Sequence, residues 1–176
     1  MDLFDTLQPR SLPLQPSQSK PTVLYTDGSE QGSNRVICGV LFSPKIQAPQ
    51  FFSHVLTSDI VARWCPKETM INQVEASAGI VVFDTWSDLL ADADVIHFID
   101  SNTSLNGLVN GWSRKSDTCH LVGLYWKCVS PLKAFVWVER VESESNIADG
   151  PTKDRYDTLE SLGAVEVQPV LKNIYR

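Results

Sequence analysis

The first things to notice about this 176-residue chain are shortages: four cysteines, three histidines and no excess of positive charge. Cys38, Cys65, Cys119 and Cys128 are widely scattered. No two form a CxxC pair, and no histidine lies at zinc-ligand spacing from any of them. This excludes a zinc-ribbon pattern and a disulfide framework, and predicts reduced thiols in a reducing compartment, cytoplasmic or nuclear rather than secreted. No apolar run approaches membrane-spanning length, so no membrane association is expected. The N-terminus lacks the basic-then-apolar order of a secretory signal, and no internal repeat is visible. A formal charge of −6 argues against a protein that grips nucleic acid by net charge alone. What remains is ordinary globular material, 43% hydrophobic and 20% charged, long enough for one domain with a sizeable core.

Residues 1–21 carry Pro9, Pro13, Pro16 and Pro21 among serines and glutamines, and read as a linker or extended arm. A domain is expected over 22–162, with a C-terminal tail over 163–176. Residues 22–25 predict a short strand, 27–34 a turn containing two glycines, and 35–42 and 51–56 two further strands of an antiparallel unit. From 72 to 90 the apolar residues recur at helical spacing. The run 95–99 predicts a strand buried on both faces, followed by helices over 101–112 and 119–129 and a strand over 134–138. Residues 147–151 should open a final helix running to Leu162 and stopped by Gly163. The sum is an α/β domain with a five-stranded mixed sheet, three strands antiparallel and two parallel, flanked by helices.

Four carboxylates fall at the ends of these elements, in the order Asp27, Glu75, Asp100, Asp149. An acid closing a hydrophobic strand is costly to bury unless something pairs with it. Acids at the ends of neighbouring strands make a cation site. Hydrolysis of a phosphodiester needs an activated water and a stabilised leaving oxygen, and two Mg²⁺ ions can supply both. Mg²⁺ prefers hard oxygen ligands held on rigid elements. Two such ions, four positive charges, would bring the net charge from −6 to −2.

The segments around these acids resemble the motifs of ribonuclease H. Leu24-Tyr25-Thr26-Asp27-Gly28-Ser29 is similar to the first, Asn72-Gln73-Val74-Glu75 to the second and Ile99-Asp100-Ser101-Asn102 to the third. Ser145-Asn146-Ile147-Ala148-Asp149-Gly150-Pro151-Thr152-Lys153 resembles the fourth in its retroelement form. The resemblance spans roughly residues 22–162. It implies a ribonuclease H-like fold and an endonuclease that cuts the RNA strand of RNA/DNA hybrids. It implies two Mg²⁺ (Mn²⁺ as substitute) on Asp27, Glu75, Asp100 and Asp149, and a linked or associated reverse transcriptase domain as partner. By the same resemblance Asp27 would bridge both ions, Glu75 and Asp100 would hold the leaving-group ion, and Asp149 the ion that activates water. Asn72 and Asn102 match positions that touch the hybrid minor groove, and Gly28 and Ser29 those facing the RNA strand. Lys153 and Arg155 stand one turn past Asp149, where a phosphate would come.

The chain departs from the family in two places. Residues 139–148 hold no histidine to aid product release, and only Arg114 and Lys115 mark the site of the family's basic insertion, so the isolated domain should bind hybrid weakly.

Plainer readings stand beside each residue. Asp27 before Gly28 suits a turn, Glu75 a helix start, and Asp100 and Asp149 helix caps. His97 reads as a satisfied core residue. The five tryptophans read mostly as core, with Trp112 or Trp126 as candidates for base stacking, and Arg114, Lys115, Lys127 and Lys133 as a solvated face. A structure-specific DNA nuclease or resolvase of the same fold, and a non-catalytic connection or scaffold module, remain open. Ser29 where proofreading exonucleases carry an acid, and Asp149 where integrases carry Glu, speak against those two relatives.

Overall fold

The computed structural model describes residues 20–65 and 67–175; the arm read over 1–21 lies almost wholly outside them. The sheet has six strands: β1 Thr22–Gln31, β2 Asn34–Phe42, β3 Gln50–Val55, β4 Asp94–Ile99, β5 Phe135–Arg140 and β6 Val165–Glu166. Their order is β5-β4-β1-β2-β3-β6. The first three form an antiparallel meander, and β4 and β5 add in parallel beside β1. The sixth strand corrects the expectation of five. Gly163, at φ +62°, reverses the chain, and Val165 and Val167 donate to the carbonyls of Pro49 and Phe51 at 2.8 Å each. A two-residue strand thus covers the free edge of β3, too short to show as a pattern in sequence.

The expected turn over 27–34 is also corrected. The β1–β2 ladder continues through Asp27↔Cys38, Gly28↔Ile37 and Ser29↔Val36 to Gln31↔Asn34. Only Gly32 and Ser33 form the turn, with Gly32 at φ +60°, the conformation a two-residue hairpin loop requires. Asp27 therefore stands on a paired strand.

One face of the sheet carries the main core under helices α2 (Ile71–Thr85) and α5 (Ser116–Val129). Helix α1 (Ser58–Val61) precedes α2. The stretch expected as one helix over 72–90 divides at Trp86, whose indole N–H donates to Gln50 Oε1 (2.9 Å) while its ring packs on Phe52. A separate turn, α3 (Ser87–Leu90), follows. Strand β4 is fully buried only at alternate residues, Val95, His97 and Ile99. The continuous apolar run thus reflects one covered face and one half-covered face, where Phe98 stacks on Tyr25. His97 is buried between Thr26 Oγ1 (2.8 Å) and Tyr125 Oη (2.9 Å), and burial lowers its pKa to about 3, so it is a neutral core node joining β1, β4 and α5. Trp64 and Trp86 are core residues, whereas Trp112 and Trp137 are exposed, the latter on edge strand β5.

After β4, Ser101 caps helix α4 (Asn102–Asn110) by accepting from Ser104 N at 3.2 Å. The final helix is shorter than expected. Pro151–Lys153 is a single 3-10 turn, Asp154 adopts φ +56°, and Arg155 N bonds back to Gly150 O at 3.0 Å. Only α6 (Asp157–Ser161) is α-helical. The segment expected as a tail docks on α2: Val170 N meets Thr85 Oγ1 at 3.0 Å, Asn173 N meets Asp84 Oδ2 at 2.7 Å, and Ile174 is buried. Among the described residues no disulfide joins the cysteines, and no helix is long and apolar enough to cross a membrane.

Candidate active site

The parallel pairing of β1 with β4 ends at Tyr25↔Phe98. Two residues further along each strand stand Asp27 and Asp100. The ladder stops at the carboxyl end of β4, and the carboxyl ends of parallel strands are the usual position for a ligand in such sheets. Asp27 is only 6% exposed. Its pKa is pushed up to about 7, first by burial and then by the charges of Asp100 and Asp149, against the hydrogen bonds from Thr152 and the Gly28 backbone.

Glu75 enters from the second turn of α2. Its carboxyl is also held above the usual range, by burial first and by Asp100, while hydroxyls of Ser101 and Ser104 pull the other way. Ser104 Oγ donates to Glu75 Oε2 at 3.2 Å. Close approach of α2 to β1 depends on Gly28, since a Cβ there would lie 2.8 Å from Glu75 N and 2.9 Å from Val74 Cγ1. Glu30 fastens the start of α2 to the same strand. It accepts from Thr69 Oγ1 (2.7 Å) and Met70 N (2.8 Å) and pairs with Arg35 (2.7 Å). A cavity of about 10 Å³, room for one water-sized particle, lies between Glu75, Asp100, Ser101 and Ser104.

Asp149 arrives on the loop after β5. Asn146 fixes that loop by donating to Thr26 O at 3.0 Å and accepting from Ala148 N at 3.2 Å. The Asp149 carboxylate is held by Lys153 (2.5 Å) and Arg155 (2.9 Å). The four acids therefore form a chain of influence: Glu75 feels Asp100, and Asp27 feels both Asp100 and Asp149. Among the described residues no three acids, histidines or cysteines are drawn together tightly enough to form a ready metal cage. The donor set nevertheless suits a hard divalent cation: it is all oxygen, and its central carboxylate is buried among like charges.

The remaining candidates divide. Asn72, half-buried on the first turn of α2, precedes Glu75 by three residues, and Asn102, exposed at the start of α4, follows Asp100 by two. Ser29 is buried and spends its hydroxyl on Thr152 O at 2.8 Å. Lys153 and Arg155 are exposed but engaged with Asp149. Arg114 and Lys115 are exposed between α4 and α5. Sequence reasoning assigned no role to Thr152, Asn146, Ser104 or Glu30, although the first two fall inside a quoted motif. Only Asn146, two residues before a buried backbone N–H, carries a local signal, the Asx turn.

The sequence matches no protein-family profile and no curated protein. Solved structures do match. Ribonuclease H1 of the halophilic archaeon Halobacterium salinarum superposes with a TM-score of 0.58 at 20% identity, over 79% of this chain and 99% of that one. The chain has the ribonuclease H-like fold. LC11-RNase H1, whose structure is in complex with an RNA/DNA hybrid, gives 0.55 at 19% identity over 78% and 97%. The N-terminal ribonuclease H domain of a Mycobacterium tuberculosis protein gives 0.55 at 17% over 83% and 100%. The ribonuclease H-like fold thus accounts for the mixed sheet and flanking helices expected from the element order.

Proposed function

We propose that this chain is a divalent-cation-dependent endonuclease that hydrolyses the RNA strand of RNA/DNA hybrids, as the ribonuclease H part of a retroelement-type reverse transcriptase. One observation carries the reading. Asp27 is a buried carboxylate on the central strand whose nearest charged influences include two further acids, Asp100 and Asp149. A fold that tolerates such a group with no cationic partner among the described residues is arranged for a cation. Two Mg²⁺ (or Mn²⁺) held by Asp27, Glu75, Asp100 and Asp149 would supply an activated water and stabilise the leaving oxygen.

The residues around this set have their own tasks. Asn72 and Asn102 open helices on either side of the acids and offer amide groups to the 2′-hydroxyls of a minor groove, the feature that separates RNA from DNA. Gly28 presents bare backbone where a side chain would block both Glu75 and an incoming strand. Lys153 and Arg155 exchange Asp149 for a phosphate when the substrate arrives. Substrate grip is weak in this chain alone, where the segment joining α4 to α5 carries just Arg114 and Lys115, and a tethered or associated polymerase domain raises the effective concentration of hybrid. A cytoplasmic or nuclear setting goes with this role and with cysteines that form no disulfide among the described residues.

A non-catalytic scaffold is the second reading, and the observation on its side is the pairing of Asp149 with two cations of its own loop. The test is cleavage of matched hybrid, duplex RNA, duplex DNA and branched DNA with and without Mg²⁺, in parent and Asp27→Asn. Hybrid-selective, Mg²⁺-dependent cutting lost in Asp27→Asn supports the nuclease. Equal rates in the two proteins sink it, and a preference for branched DNA points to a resolvase.

A further inference from the structure

We propose that Thr152 is the positioning residue for Asp27: its hydroxyl fixes the carboxylate of the first acid and ties that orientation to the loop bearing the fourth. This deepens the nuclease reading and rests on it. A strand fixes the Cα of Asp27 but not its carboxyl plane, because the terminal torsion of an aspartate is broad. Something else must hold it. Thr152 Oγ1 lies 2.7 Å from Asp27 Oδ2 and 2.9 Å from the Asp149 carbonyl oxygen. A hydroxyl has one proton to donate. The ionised carboxylate is the stronger acceptor, so the proton goes to Asp27, and a charge-assisted bond of this kind is about twice as strong as a neutral one. Thr152 is 4% exposed, so water does not compete.

The holder is itself held. Ser29 Oγ donates to the Thr152 carbonyl at 2.8 Å, and Ser53 Oγ donates to the Pro151 carbonyl at 3.2 Å. Ser29 follows Asp27 by two residues and points to the same sheet face. Strand β1 therefore grips Thr152 twice, once at the side chain through Asp27 and once at the backbone through Ser29. Threonine is β-branched and stiff at χ1, which suits a fixed donor better than serine. The result is a clamp between Asp27 and Asp149, acids far apart in the chain. It also gives Ser29 a task inside the protein.

Thr152→Val keeps the shape and removes the donor; Thr152→Ser keeps the donor. Two readouts separate positioning from general stability: the Mg²⁺ midpoint of thermal stabilisation, which needs no turnover, and the split of kcat from KM on hybrid. Loss of a hydrogen bond behind a metal-binding carboxylate typically costs ~10–100-fold in affinity or activity. Thr152→Val is expected to raise the Mg²⁺ midpoint and lower kcat by that factor with KM unchanged, and Thr152→Ser to restore most of both. If Thr152→Val binds Mg²⁺ and turns over like the parent while Asp27→Asn is inactive, the positioning role is wrong. If Asp27→Asn also cleaves normally, the nuclease reading itself has failed. Should Thr152→Val not fold, judged by its metal-free melt, Ser29→Ala takes its place. Ser29→Ala only unpins the Thr152 carbonyl, so a smaller shift in the same direction supports the clamp and an unchanged midpoint overturns it.

Discussion

Asp27 and Asp149 belong to one constellation but live in opposite surroundings. Asp27 sits on the central strand, paired to β2 just past the end of the β4 ladder, buried, with acids nearby and a hydroxyl on one oxygen. Asp149 sits on a loop made of single turns, with both carboxylate oxygens in ion pairs to exposed cations. The strand half is rigid and electrostatically uncomfortable. The loop half is neutralised within its own few residues. Under the nuclease reading this is a division of labour: strands store unfavourable charge for a cation to relieve, and the loop brings an acid whose partners are traded for substrate.

The strongest way to break this comparison is Asp27→Asn. Under the nuclease reading it lowers hybrid cleavage by about 10³-fold or more, since removing one electrostatic catalytic group alone commonly costs ~10²–10³-fold. Its effect on the metal-free fold has the opposite sign. The folded-state pKa of about 7 lies above the ordinary 3.8, so the fold favours the protonated form. The stability linked to Asp27 is full below pH about 4 and is lost as pH rises through 7, by roughly 4 kcal/mol at most. Asp27→Asn should therefore melt higher than the parent at pH 8, with the gap closing at pH 4. A variant that melts lower at pH 8 contradicts the electrostatic picture.

Mg²⁺ gives the next largest effect. At about 100 times its dissociation constant a cation adds ~2.7 kcal/mol, which for a domain of this size means a rise of roughly 5–10 °C in Tm. The rise should saturate, and it should be much smaller in Asp27→Asn. A flat response in the parent means that the acids do not hold the ion.

Gly28→Ala tests the rigidity of the strand half. Its Cβ would stand 2.8 Å from the backbone of Glu75, which cannot yield. Overpacking of this kind costs about 1–3 kcal/mol, read as a lower denaturation midpoint, and the Mg²⁺ response should weaken because α2 carries Glu75 away from Asp27.

The smallest effect falls on the loop. Lys153→Gln and Arg155→Gln break exposed ion pairs and should change stability by less than about 1 kcal/mol each. If both residues meet phosphate in the complex, each variant also lowers the salt dependence of hybrid binding by about one unit of slope. A loss of several kcal/mol on either change would make the loop as structural as the strand and erase the contrast.

Much of this was legible in the sequence. Apolar runs between turn residues predicted the meander and the strand at 95–99, and helical spacing predicted the helix from 72, because those patterns record burial. The positions of Glu75 near the start of a helix and of Asp100 just past a strand were readable for the same reason. What misled was local chemistry overruled by pairing. Asp27-Gly28 looks like a turn, yet Gly28 is a strand residue whose missing side chain makes room for α2. Trp86 looks like one more apolar position of a long helix, yet its bond to Gln50 ends it. The stretch after Asp149 has helical composition, but Asp154 at positive φ and the return of Arg155 to Gly150 stop it at one turn.

The sequence by itself determined which acids could matter, in what order, and on which kinds of element, since strand and helix periodicity depends only on near neighbours. Only the tertiary structure decided what each acid feels. Burial raises the pKa of Asp27, Thr152 orients it across a long stretch of chain, and two cations claim Asp149. Those are through-space effects, and distance in space is what a chain's order does not record.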